Sequence, residues 1–70
     1  MIKQKEIAQN IAHYIKLSTK SLNAVAKELA ISPSAVHEWT TGESMPRLVM
    51  FVELCRVLDC SYDDLLGKQA

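Results

Sequence analysis

Apolar residues recur along this chain at the spacing of helix faces. In residues 3–17, isoleucines and alanines lie three and four positions apart, so they share one side of a helix. Similar spacing returns in residues 22–29, 33–41, 47–58 and 62–66. The segments between them are polar or contain Gly and Pro, which is typical of turns and loops. The pattern predicts an all-α chain with five short helices.

The stretch 22–41 is the part around which the other helices are organised. It contains two short helical patterns separated by a tight corner, with Val25 and Leu29 on one face of the first pattern. Ser32 and Pro33 then restart the helix, because Ser caps helix N-termini and Pro suits the first helical position, where no amide donor is needed. Two helices this short cannot enclose a core alone, so flanking helices must complete it.

The second of these helices has two unlike faces. Val36 and Trp39 are spaced to turn inward. The opposite face is polar and is formed by Ser34, His37, Glu38 and Thr41. An inward apolar side and an outward polar side suit a helix that is held by its neighbours and presents its outer side chains to a partner.

This arrangement resembles the helix-turn-helix of the phage repressor and Cro family, the lambda-repressor-like DNA-binding domains. Ala26 matches the small residue where the two helices cross, and Ile31 matches the apolar residue after the turn. Val36 and Trp39 match the inward positions of the recognition helix. The likeness continues through the segments TGESMPRL, FVELCRVLDCS and DDLL, so it covers roughly residues 18–66.

Two positions depart from the family pattern. The corner usually carries Gly, and this chain has Ala30 there. The first helix of the motif usually opens with a Gln that contacts a phosphate, and this chain has Leu22. We expect Ala30 to adopt the left-handed conformation that Gly normally takes, at a cost on the order of 1 kcal/mol.

The resemblance implies a compact five-helix domain whose recognition helix, residues 33–41, enters the major groove of DNA. The residues expected to read bases are Pro33, Ser34, His37, Glu38 and Thr41. Those expected to hold the DNA backbone are Lys20, Ser21, Ser32, Ser44 and Arg47. The alternative for each of them is an ordinary solvated surface.

Each exposed side chain of the recognition helix suits a particular contact. Ser34 can donate or accept, and His37 can donate to guanine or contact phosphate. Glu38 can accept from the amino group of cytosine, whereas Pro33 offers only apolar contact. Glu43, in the following loop, would repel phosphate and is therefore expected to point away from DNA.

The fourth helix has more apolar residues than one inward face needs. At core spacing lie Leu48, Phe51, Leu54, Cys55 and Leu58. The surplus consists of Val49, Met50, Val52 and Val57. A helix that is apolar nearly all round is buried on more than one side. Two interpretations follow, a wider core within the monomer or a homodimer interface built from the surplus residues.

Charge gives weaker guidance. The chain has eight Lys and Arg against eight Asp and Glu, for a net charge of zero. Nucleic-acid binders are usually basic, because phosphate contacts supply most of their non-specific affinity. Residues 1–47 carry six basic and four acidic side chains, and residues 48–70 carry two and four. Residues 1–47, which contain the motif, thus have a net charge of +2, and residues 48–70 have a net charge of −2. This asymmetry favours DNA binding only weakly.

Little in the sequence indicates other chemistry. Cys55 and Cys60 lie in apolar segments without an export signal, so we expect reduced core thiols. On a continuous helix their spacing would point them apart, and no zinc site is predicted. Two glycines cannot form a Gly-rich phosphate loop. No catalytic site, metal, cofactor or small-molecule ligand is expected. Without a signal peptide or an apolar run that could span a bilayer, a cytoplasmic chain is expected, associated with the nucleoid when bound to DNA.

The sequence therefore predicts one helix-turn-helix domain over residues 1–70, with a core of about 3–66 and a frayed end at 67–70. Its predicted function is transcriptional repression of the Cro or phage repressor type, as a homodimer on a palindromic operator. Within that class an antitoxin or a restriction-modification controller is an alternative. From another class, the alternative is a protein-interaction module that kept the fold and lost DNA binding.

Overall fold

The helices of the chain appear in the predicted order. A computed structural model describes residues 1–67, so residues 68–70, most of the predicted frayed end, lie outside the described residues. The elements are α1 (Gln4–Leu17), α2 (Leu22–Leu29), α3 (Pro33–Thr41), α4 (Leu48–Leu58) and α5 (Tyr62–Leu66). Helices α2 and α3 form the helix-turn-helix, and the prediction of an all-α, five-helix fold is confirmed.

Serine side chains begin three of the helices, as their positions in the sequence predict. The Oγ atoms of Ser21 and Ser32 accept hydrogen bonds from amides in the first turns of α2 and α3. Ser61 forms a reciprocal capping box with Asp64 at α5. The hydrogen bonds from Ser61 hold the pKa of Asp64 below its usual value. Arg47 precedes α4 without a side-chain cap, so that helix begins at Leu48.

Left-handed residues end both helices of the motif. Ala30 has φ 59° and ψ 40°, so the expectation of a left-handed alanine at the corner is confirmed. The Ile31 amide donates to the Ala26 carbonyl at 3.0 Å and closes the end of α2. Gly42, with φ 85°, ends α3 in the same region of backbone space, where glycine carries no Cβ penalty.

Every helix contributes to one hydrophobic core. Five side chains at its centre are almost wholly buried, one from each helix: Ile11, Val25, Val36, Leu54 and Leu65. Full burial of an aliphatic side chain contributes about 1.5–3 kcal/mol. Because the core is shared in this way, α3 is held from behind by α1 and α2, and α5 closes the far side against α1.

Helix α4 buries Leu54, Cys55 and Leu58, as their spacing predicts, but two other positions differ from the prediction. Leu48, placed at core spacing in the sequence, is 78% exposed because it begins the helix beyond the edge of the core. Val57, assigned to a dimer surface, is only 5% exposed and packs inside the monomer, so that assignment is wrong. Met50 is partly buried against the core, whereas Val49 and Val52 are exposed. The surplus apolar residues thus divide between a wider core and an outer face.

The two cysteines lie closer together than the sequence indicates. Because α4 ends at Leu58, the chain turns back and the Cys60 amide donates to the Cys55 carbonyl at 3.0 Å. The expectation that they point apart assumed a continuous helix, and that condition does not hold because α4 ends before Cys60. The Cys55 thiol lies 3.8 Å from the Ser61 carbonyl. Burial, reinforced by the neighbouring Cys55 thiol, raises the pKa of Cys60 to about 12. Both thiols are free, and neither is ionised at neutral pH.

Candidate nucleic-acid interface

Helix α3 separates a buried side from an exposed side, as its sequence predicts. Val36 and Trp39 are 0% and 6% exposed and pack into the core. Ser34, His37 and Glu38 are exposed on the opposite side. Within residues 1–67, the side chains of Ser34 and His37 form no hydrogen bonds or ion pairs. A change to either of them therefore disturbs little of the fold.

The loop after α3 is fastened to the end of that helix. The amides of Gly42, Glu43 and Ser44 all approach the Glu38 carbonyl, at 3.0, 3.1 and 3.4 Å. From α1, the Gln4 side-chain amide donates to the Gly42 carbonyl at 2.9 Å. These bonds satisfy the Glu38 carbonyl in the last turn of α3 and hold the loop beside the exposed side of that helix.

Side chains of this loop also bind side chains of α3. The Ser44 hydroxyl donates to Glu38 Oε1 at 3.1 Å. The Thr41 hydroxyl lies 2.9 Å from Glu43 Oε1 and 3.1 Å from the Glu38 carbonyl. Because Thr41 has one hydroxyl proton and both acceptors are within the protein, its expected role as a base reader is not supported.

A shallow groove runs along the exposed side of α3. It is lined by Leu22, Pro33, Ser34, His37, Glu38 and Glu43. Glu43 therefore lies on the same surface as the predicted base readers, which corrects the expectation that it points away. Its bond to Thr41 gives the reason, because that contact draws the carboxylate toward the recognition helix.

The two N-cap serines remain suited to a phosphate contact. Each oxygen already accepts a backbone amide, from Ala24 to Ser21 and from Ala35 to Ser32. A serine hydroxyl also has one proton to donate, and both side chains are exposed. They stand at the amino ends of α2 and α3, where the helix dipole favours an anion.

The two basic residues expected to hold the DNA backbone differ in whether their charged groups are already bound within the protein. Lys20 uses its ammonium group inside the fold, donating to the Val57 carbonyl at 2.9 Å and pairing with Glu28 at 3.0 Å. This geometry does not support a role for Lys20 as a free phosphate ligand. Arg47 is exposed, and its guanidinium has no hydrogen bond or ion pair to any of residues 1–67. Arg47 is therefore the available cation near the end of this loop.

Sequence reasoning missed Gln4, misplaced Glu43 and identified Leu22 only as a departure from the family pattern. Gln4 was not singled out, since its partner Gly42 is 38 positions away. Leu22 lines the groove at the position where the family carries a contact residue, so its alignment with the motif was the available signal. Glu43 was noticed but assigned to the wrong side, because charge alone does not determine side-chain direction.

Two other features are absent from the part of the chain that the structure describes. Within residues 1–67, no group of three or more His, Cys, Asp or Glu side chains is arranged to hold a metal ion. In the same range, no helix has the length and apolar character needed to cross a bilayer.

Comparison with known proteins extends these observations. Residues 11–65 match the helix-turn-helix family. A search of curated proteins gives no significant match. The SOS-response transcriptional repressor LexA from Eubacterium rectale is 28% identical, with a TM-score of 0.83 over 100% of this chain and 80% of that chain. The P22 c2 repressor, solved with a synthetic operator, is 25% identical, with a TM-score of 0.81 over 90% of this chain and 96% of that chain.

The same fold also occurs within a longer protein. FeII HppE, solved in complex with substrate, is 20% identical and has a TM-score of 0.87. The match covers 97% of this chain and 40% of that one, so this chain spans less than half the length of HppE. This likeness concerns the fold alone.

Proposed function

We propose that this chain, which belongs to the Cro/C1-type helix-turn-helix family of DNA-binding regulators, represses transcription by binding a palindromic operator as a homodimer. The observation that carries the proposal is the division of α3, with Val36 and Trp39 buried and Ser34, His37 and Glu38 exposed. A helix that is packed against the core on one side and exposes polar side chains on the other fits the major groove, where base edges present donors and acceptors.

Contacts to the DNA backbone would come mainly from neutral donors. Ser21 and Ser32 stand at helix amino ends, and Arg47 supplies a cation at the end of the loop. Backbone contacts of this kind fix the register of a recognition helix without reading sequence. With few basic side chains near the groove, each subunit should neutralise few phosphates, which gives a shallow dependence of affinity on salt.

The dimer surface proposed here is the exposed side of α4. Leu48, Val49 and Val52 are 78%, 71% and 38% exposed, and they form an apolar surface along that helix. Burying it against a second copy removes apolar area from water and gives a two-fold interface. Two recognition helices would then meet half-sites about 34 Å apart, one turn of DNA.

A second function is favoured by charge. Glu38 and Glu43 line the groove, and the chain has no net charge. A surface with two carboxylates suits a basic protein segment as well as it suits DNA, so a protein-interaction module remains the competing proposal. In either case we place the protein in the cytoplasm. A phage or prophage origin is the setting we favour for the repressor.

Binding-site selection separates the two functions. The full chain is incubated with a pool of random duplexes, and bound DNA is recovered and sequenced over several rounds. We expect a palindromic consensus with half-site centres about 10 base pairs apart. A pool that shows no enrichment would reject the repressor and favour the protein-interaction module. Repression is then tested with a reporter promoter that carries the selected site.

A further inference from the structure

The Glu38 carboxylate lies on the exposed side of α3, and a side chain of the following loop holds it in one direction. Its Oε1 atom accepts from the Ser44 hydroxyl at 3.1 Å. The backbone of Ser44 is itself held, because its amide lies 3.4 Å from the Glu38 carbonyl. Ser44 therefore positions Glu38 from the side, through the loop that follows the recognition helix.

This arrangement leaves part of the carboxylate free. Among residues 1–67, the second oxygen of Glu38 has no hydrogen-bond partner, and the residue is exposed in the groove. A carboxylate can only accept at neutral pH, so it needs a donor from any partner that covers it. Phosphate and base acceptors such as guanine O6 and N7 offer none, and they repel it.

Only two kinds of base offer an amino donor in the major groove, cytosine through N4 and adenine through N6. Adenine also carries the N7 acceptor beside its amino group, which a carboxylate repels. Cytosine has no acceptor of that kind at this edge. A fixed carboxylate therefore favours cytosine over the other three bases.

We propose that Ser44 is a positioning residue for Glu38 and that this pair makes the interface specific for a cytosine amino group at one position of each half-site. The proposal rests on the proposed function and adds the identity of one base. It also changes the role of Ser44, which binds Glu38 rather than a phosphate.

The test begins with the consensus selected by the wild-type chain. Affinities are measured by fluorescence anisotropy for that duplex and for duplexes with each other base at the proposed position. Glu38→Gln is expected to lose roughly fivefold to hundredfold of the preference for cytosine and to shift toward adenine, since an amide pairs with adenine N6 and N7. Glu43→Gln is the matched control, because it removes a charge from the same groove. It should strengthen binding to all duplexes alike and leave the consensus unchanged.

The role of Ser44 is tested in the same assay. Ser44→Ala should reduce the preference for cytosine several-fold, and Ser44→Thr should restore it, because threonine keeps the hydroxyl. The melting temperature is measured for each variant, since a merely structural role would change stability without changing base preference. Replacing cytosine by 2-pyrimidinone, which lacks the amino group, should weaken DNA binding by the wild type more than DNA binding by Glu38→Gln.

The outcomes distinguish this proposal from the one on which it rests. If the wild type enriches a consensus but Glu38→Gln enriches the same bases with equal preference, the cytosine assignment is wrong and the DNA-binding function stands. If Ser44→Ala keeps the full preference, Ser44 does not position Glu38. If the wild type enriches no sequence, the proposed function itself is rejected and this inference goes with it.

Discussion

The exposed sides of α3 and α4 both face solvent, but their chemistry is opposite. On α3, Ser34, His37 and Glu38 offer donors and acceptors, and leaving them in water costs little. On α4, Leu48 and Val49 are more than two-thirds exposed, and covering them with an apolar surface lowers the free energy. The first surface suits the polar edges of bases, and the second suits another copy of the chain. Exposure alone therefore does not identify a partner.

The same contrast exists within α4 itself. Val49 and Val57 are both apolar, but one is 71% exposed and the other 5%. Val57 faces the core beside Leu54 and Leu58, and its carbonyl accepts the Lys20 ammonium. Identical residues on one helix thus serve the fold at one position and are available to a partner at the other.

The largest expected effect is that of Val57→Lys. A lysine at this buried position places an unpaired charge in the core, and we expect a loss of roughly 3–5 kcal/mol in the free energy of unfolding. Urea unfolding followed by circular dichroism measures the loss. In a 70-residue domain that is most of the stability, so the variant should be largely unfolded. A cooperative transition near that of the wild type would mean that Val57 lies at the surface.

Val49→Lys should have a different effect. The monomer should stay folded with nearly unchanged stability, since surface substitutions usually change it by within about 0.5 kcal/mol. The dimer should weaken by roughly tenfold to hundredfold, because a two-fold interface loses the apolar contact twice. Sedimentation equilibrium measures the dissociation constant. Leu17→Lys is the control, since Leu17 is also exposed but lies at the end of α1. Equal effects of the two variants would remove α4 from the interface.

Lys20→Ala and Arg47→Ala test which cation belongs to the DNA surface. Arg47→Ala should weaken binding to all DNA sequences alike. It should also reduce the slope of log affinity against log salt by about 1 per subunit. Lys20→Ala should leave that slope unchanged and lower the free energy of unfolding by about 0.5–1 kcal/mol, since its partially exposed ion pair contributes little beyond the hydrogen bond. The reverse result would return Lys20 to the phosphate-binding set.

Ala30→Gly has the smallest expected effect and changes the scaffold without touching either exposed side. Left-handed alanine costs roughly 1–2 kcal/mol, and glycine adds about 0.4–1 kcal/mol of chain freedom to the unfolded state. We expect a net gain of about 0.5 kcal/mol in the free energy of unfolding, with DNA affinity unchanged. The urea midpoint measures it. A lower midpoint would mean that the entropy of the unfolded chain outweighs the strain at the corner.

The sequence by itself was enough to predict the helices and the three serine caps, and the resemblance to the repressor family added the left-handed corner. Ser21, Ser32 and Ser61 each cap a helix through an amide three residues ahead, so the signal is local and can be read along the chain. The inward positions of α3 were also predictable. Val36 and Trp39 are the apolar residues of a helix whose other side is polar, so only one orientation buries them.

Tertiary structure decided which of the surplus apolar residues of α4 are buried, which partners Lys20 binds and on which side Glu43 lies. Helix α4 carries apolar residues nearly all round, so several rotations bury a similar area, and packing against α2 and α5 selects one of them. The partners of Lys20 include Val57, which is 37 positions away along the chain. The position of Glu43 depends on the loop after α3, which the Gln4 side chain of α1 holds through the Gly42 carbonyl. Helical periodicity and capping act within a few residues, whereas these contacts exist only once distant segments have packed together.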